Sequence, residues 1–84
     1  MIWSEPCKPS ENISYYDHVI SITPIGTFFI EWKSWKEYDS YSITLKSLTN
    51  EEYIGNEYTL ESAKKKCYDY LLETHNKLKT YLEL

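Results

Sequence analysis

Tyr58 to Leu84 reads YTLESAKKKCYDYLLETHNKLKTYLEL, and it is the only long segment of this 84-residue chain with a clear helical period. Leu60, Ala63, Cys67, Tyr70, Leu71, Thr74, Leu78, Tyr81 and Leu82 recur at three- and four-residue spacing. That spacing draws one apolar stripe along a helix, with Lys65, Lys66, Asp69, Glu73, Asn76 and Lys77 opposite it. Thr59 is positioned to cap the first turn, and Glu61 falls where the helix dipole favours a negative charge. A helix over 59–84 with one apolar stripe needs an apolar layer to lie on, and the rest of the chain must supply it.

Upstream, apolar and polar residues alternate with period two, the mark of half-buried strands. DHVISIT (17–23) divides into His18, Ile20 and Ile22 on one face and Val19, Ser21 and Thr23 on the other. Thr23-Pro24-Ile25-Gly26 carries turn chemistry: Pro sets φ early in the turn and Gly tolerates unusual φ late in it. TFFIEWKSW (27–35) places Phe28, Ile30 and Trp32 together, and YSITLKS (41–47) does the same for Tyr41, Ile43 and Leu45. After a turn at 48–51, Glu52 to Tyr58 forms a last strand weakened by Gly55. The expected fold is α+β: a three- to four-stranded antiparallel meander (17–58) covered by one C-terminal helix. The helix stripe is expected on a face built from Ile20, Ile22, Phe28, Ile30, Trp32, Tyr41, Ile43 and Leu45. Residues 1–16 hold Pro6 and Pro9, which interrupt strand pairing, and read as an arm packed on a single domain of residues 1–84.

Composition narrows function. A chain this short buries about two thirds or less of its unfolded surface. Hydrophobic residues make up 42% and charged residues 26%, with only two Gly, which argues for a folded domain. Nine Tyr, three Trp and two Phe make up 17% of the chain, a large aromatic share. So many tyrosine hydroxyls cannot all find buried partners, so several belong at the surface. The net charge is −4, with Lys as the only strong cation and no Arg. Without Arg the chain lacks the usual bidentate reader of phosphate and guanine. No charged-then-apolar leader opens it, no apolar run could span a membrane, and a cytoplasmic location is expected.

No motif announces catalysis or a cofactor. His18 lies on a strand and His75 late on the helix, and Cys7 and Cys67 are far apart, so no metal-ligand spacing exists. Cys67 sits on the apolar stripe, where a thiol behaves as a small hydrophobe. A Cys7–Cys67 disulfide is open on sequence alone. Neither a nucleophile elbow nor a glycine-rich phosphate loop is present. Lys64, Lys65 and Lys66 form the one basic cluster, and a small nucleic-acid-binding domain using them is the alternative reading. YTLESAKKKC is similar to the end of double-stranded-RNA-binding domains, yet Pro6 and Pro9 leave no room for their N-terminal helix. The three-stranded, one-helix arm-type DNA-binding domains of phage integrases resemble the architecture, but they are basic and Arg-rich.

The other surface signal is aromatic and acidic. Trp35, Glu37, Tyr38 and Asp39 cluster near Trp32 and Tyr41, and Tyr15, Tyr16 and Asp17 form a second group. Exposed aromatics beside acids suit a contact with a basic protein surface. TPIGTFFIEWKSW (Thr23–Trp35) followed by YTLESAKKKC (Tyr58–Cys67) resembles small phage and prophage accessory proteins, in which a Pro-x-Gly-Thr hairpin leads to an aromatic strand and a T-L-E-x-A-K segment opens a final helix. The resemblance covers about half the chain. It implies a mobile-element origin and a non-enzymatic inhibitor or modulator of a host nucleic-acid-handling defence complex, as anti-CRISPR proteins are. No functional residue carries over from it. The expected partner is a host protein with a basic surface, and the chain is expected as a monomer or a homodimer.

Overall fold

Only Pro24 and Ile25 separate the first two strands, β1 (Asp17–Thr23) and β2 (Gly26–Trp32). The computed structural model describes residues 1–8, 16–33 and 40–83. β3 (Tyr41–Lys46) and β4 (Glu51–Glu57) follow, and each strand pairs antiparallel with the next, in the order β1-β2-β3-β4. A 24-residue helix, α1 (Leu60–Glu83), ends the chain. The fold is the expected α+β meander with one C-terminal helix.

The short turn dictates which residues of β1 face inward. With Thr23 opposite Gly26, the register runs Ser21↔Phe28 and Val19↔Ile30. Residues directly opposite one another share a sheet face. The core therefore holds Val19, Phe28, Ile30, Ile43 and Leu45, together with Ala63 and Cys67 from α1. This corrects the expected assignment of β1. Ile20 and Ile22 do not join the core, and Ile22 is 80% exposed. Ser21 faces inward at 1% exposure, and its hydroxyl has no hydrogen-bond partner among the described residues. Gly26 is required where it stands: its φ is 139°, and a Cβ there would lie 2.7 Å from the Lys46 carbonyl oxygen.

The N-terminal arm covers the free edge of β1. The Ser4 amide donates to the Ile20 carbonyl at 2.9 Å, and the Ser4 hydroxyl accepts from the Ile20 amide at 3.0 Å. Past Pro6, Cys7 and His18 exchange both backbone bonds, at 2.7 and 3.1 Å. Polar atoms on either side of the proline thus occupy an edge that would otherwise invite another strand. Trp3, half-buried, packs against the core.

Thr59 caps α1 as expected: its hydroxyl accepts from the Ser62 amide at 3.0 Å. The helix approaches β2, β3 and β4 but not β1. Its length exceeds its support. At 1.5 Å per residue it spans about 36 Å, whereas a seven-residue strand spans about 23 Å. Ala63 and Cys67 are buried, and Leu60, Tyr70, Leu71 and Thr74 are partly covered. Every residue from His75 to Glu83 is exposed. Leu78, Tyr81 and Leu82 continue the stripe, but the expected sheet beneath them has already ended.

Candidate protein-binding surfaces

The strand register sets the described ends of the expected aromatic and acidic segments, Asp17, Trp32 and Tyr41, at one end of the sheet. Asp17 lies opposite Trp32, Glu31 opposite Ser42, and Tyr41 opposite Glu57, so the start of β1, the end of β2, the start of β3 and the end of β4 share one pole. Trp35, Glu37, Tyr38 and Asp39 fall between Lys33 and Ser40 and, like Tyr15, lie outside the described residues. Tyr16 is half-buried, with the Lys33 ammonium 5.8 Å from its ring centre. The Trp32 and Tyr41 rings meet at a tilt of 51°, 5.3 Å apart, against the core's edge. Asp17 corrects expectation: it belongs to the inward register of β1 and is 8% exposed, so its side chain is no part of an open acidic patch.

A polar recess of about 320 Å³ opens at this pole between Tyr16, Glu31, Lys33, Ser40, Ser42 and Asn56. Asn56 is its hub. Its side-chain oxygen accepts from Ser42 at 3.1 Å and from the Tyr53 hydroxyl, and its Nδ2 donates to Ser40 at 3.0 Å. These bonds tie β4 to the start of β3. The strand-to-helix turn delivers Tyr58, 89% exposed, and exposed Glu61 to the same pole. Neither was singled out in the sequence for partner contact. The signal that could have found them is topological, since an even number of antiparallel strands returns the chain to the end where it began.

The three lysines at the start of α1 do not converge. Successive helical residues turn by about 100°, so three in a row fan over about 200°. Lys64 reaches toward Trp3, 5.8 Å from its ring centre. Lys65 pairs with Asp69 at 3.2 Å and Lys66 with Glu57 at 3.6 Å. Two of the three charges are thereby partnered within the domain, and the three point to separate neighbours.

The chemically capable groups are equally dispersed. Both cysteines are free, Cys7 on the β1 edge and Cys67 beneath the helix. Burial pushes the Cys67 thiol up to about 12, which keeps it protonated and inert at neutral pH. His18 is buried, on the opposite sheet face from the one expected, 6.1 Å from the Phe29 ring. Its Nδ1 lies 3.0 Å from the Tyr16 carbonyl, which can only accept, so Nδ1 carries the proton. Tyr70 donates to Glu52 at 2.9 Å; that bond, then burial, then the charges of Glu52 and Glu73 raise its phenol above the usual value. Among the described residues no three His, Cys, Asp or Glu side chains gather as a metal site. No helix among them is long and apolar enough to cross a membrane.

At the opposite pole, α1 does not approach β1. A groove of about 670 Å³ runs there between the helix, the β1–β2 turn and the N-terminus, lined chiefly by Ile2, Ile22, Pro24, Tyr68, Leu72 and Leu78. No family model matches this chain, and no curated protein or solved structure matches it.

Proposed function

We propose that this domain is a non-enzymatic protein-binding module that meets its partner with the pole where the Tyr15–Asp17 and Trp32–Tyr41 segments come together. The observation that supports the reading is the strand register, which sets Asp17, Trp32 and Tyr41 at one sheet end, where exposed Tyr58 and Glu61 also lie. Tyr and Trp give large contact area at small entropic cost, and charges at the rim orient the encounter. Dispersal of the histidines and cysteines supports binding over catalysis. The fanned, paired lysines favour a protein partner over a phosphate backbone.

The net charge of −4 and the resemblance to phage accessory proteins extend the proposal. The partner is a host protein with a basic surface, belonging to a nucleic-acid-handling defence complex, and the chain acts on it in the host cytoplasm as a phage-encoded inhibitor or modulator. Affinity capture of host proteins by the wild-type chain, beside a Trp35→Ala/Tyr58→Ala variant, tests this. A basic host protein held by the wild type and released by the variant is the expected result. Equal capture by both, or a gel shift of DNA or RNA that weakens linearly with log salt, would overturn it in favour of the lysine reading.

A further inference from the structure

The helix tail and the groove beside it form a surface that the fold leaves open, and it lies at the pole opposite the proposed partner site. Ile2, Ile22, Tyr68, Leu72, Leu78 and Leu82 expose between 43% and 89% of their area. At about 200 Å² for a large side chain, this amounts to roughly 800 Å² in one neighbourhood. The largest apolar patch of an ordinary monomer is about 300–600 Å², whereas one side of a standard stable interface is about 800 Å².

The pattern within α1 says what shape of partner fits. Tyr68, Leu71, His75, Leu78 and Leu82 follow one another at alternating three- and four-residue steps, the seam of a two-helix contact. That seam borders the Ala63–Cys67–Tyr70 face spent on the sheet and shares Leu71 with it, and beyond Thr74 it lies open. The last nine helical residues have no sheet beneath them, and unpacked helix of that length is marginal in water. No basic side chain supports the last turn either.

We infer that a second copy of this chain covers the surface, the two helix tails lying antiparallel about a two-fold axis so that Leu78, Tyr81 and Leu82 of each enter the groove formed by Ile2, Ile22 and Leu72 of the other. A single copy offers both halves of this contact, a projecting apolar tail and an apolar groove next to it, as an isologous interface requires. The seam positions themselves hold no carboxylate; Asp69 and Glu73 lie beyond Leu72 on its outer side. Lys79, the one lysine beside the seam, falls next to Leu72 of the other copy when the two helices run antiparallel.

Sedimentation velocity of the full chain at 1–300 µM measures this directly. The wild type should sediment at twice the 10.1 kDa chain mass. Leu78→Lys/Leu82→Lys, both exposed, should fold with the wild-type circular dichroism and dissociate at least about 100-fold more readily. Ile22→Lys, also exposed and on the other half of the contact, should do the same. A wild type that stays monomeric throughout the range overturns the inference. So does a dimer that survives both variants, which would mean that the copies meet elsewhere, for example along the β4 edge. Neither result bears on the partner-capture experiment, whose variants lie at the other pole.

Discussion

Replacing Ser21 by Ala should stabilise this protein, although Ser21 is one of its most buried residues. The hydroxyl sits at the inner face of β1 with 1% of the residue exposed and no hydrogen-bond partner among the described residues. In the unfolded chain it is hydrated, so folding removes water from it without replacement. Protein mutations put that penalty at about 1–3 kcal/mol. Ala keeps the backbone and the Cβ and loses only one oxygen's dispersion contacts, a few tenths of a kcal/mol. The net expectation is a gain of about 1 kcal/mol, or roughly 5 °C in Tm for a domain of this size. Urea unfolding followed by Trp fluorescence measures it, at two protein concentrations so that self-association is separated from intrinsic stability. A Ser21→Ala variant less stable than wild type by more than about 0.5 kcal/mol would refute the reasoning, because the hydroxyl must then have a partner in solution.

Other expectations follow from the same coordinates. Val19→Ala removes buried methyl groups and should lose about 2 kcal/mol, while Ile22→Ala at an exposed position should stay within about 0.5 kcal/mol in urea melts of dilute protein. The reverse order would restore the even-numbered face of β1 to the core. Gly26→Ala should lose about 2 kcal/mol or more, since it forces a side chain to φ 139° against the Lys46 carbonyl; thermal melts will show whether it does. Cys67 makes the fold sensitive to alkali. Its thiol is raised from an ordinary 9.0 to about 12 in the folded state, so the folded chain holds the proton more tightly than the unfolded one. That contribution is complete below pH 9 and is lost toward pH 12, at up to about 1.4 kcal/mol per pH unit. Urea melts between pH 8 and 10.5 should show a slope in the wild type that Cys67→Ala lacks, and parallel curves would contradict it. Tyr70, also raised, adds loss only above its own usual value near 10.0, so Tyr70→Phe should leave the onset at pH 9 in place.

Much of this fold was legible because its signals are local. The alternation of β2 and β3, the Pro-Ile-Gly turn, the Thr59 cap and the period of α1 each depend on neighbours within a few residues. The β1 face misled because Ile20 and Ile22 look like core residues by hydrophobicity alone. The information to correct them was present in the turn: two loop residues pair Ser21 with Phe28, so the odd residues of β1 must share the face of the even residues of β2. A register argument should therefore have outweighed the apolarity of two side chains.

The candidate surfaces were less legible. Tyr16 and Asp17 are adjacent in sequence, yet one is half-buried and the other lies within the sheet's inner face. Lys64–Lys66 read as one basic patch along the chain, but helical rotation separates them and Asp69 and Glu57 partner two of them. His18 was expected beside the core and is buried on the other face, where Cys7 pairs with it across the strand edge.

By itself, the sequence determined the order and type of the elements, because propensity, capping and periodicity act over a few residues; the structure decided between three strands and four. Tertiary structure alone decided how far the helix outruns its sheet. A helix advances 1.5 Å per residue and a strand more than twice that, so the match between them depends on where the strands lie and which of them the helix crosses. The same crossing keeps α1 off β1 and turns the end of an ordinary amphipathic stripe, Leu78 to Leu82, from core material into open surface.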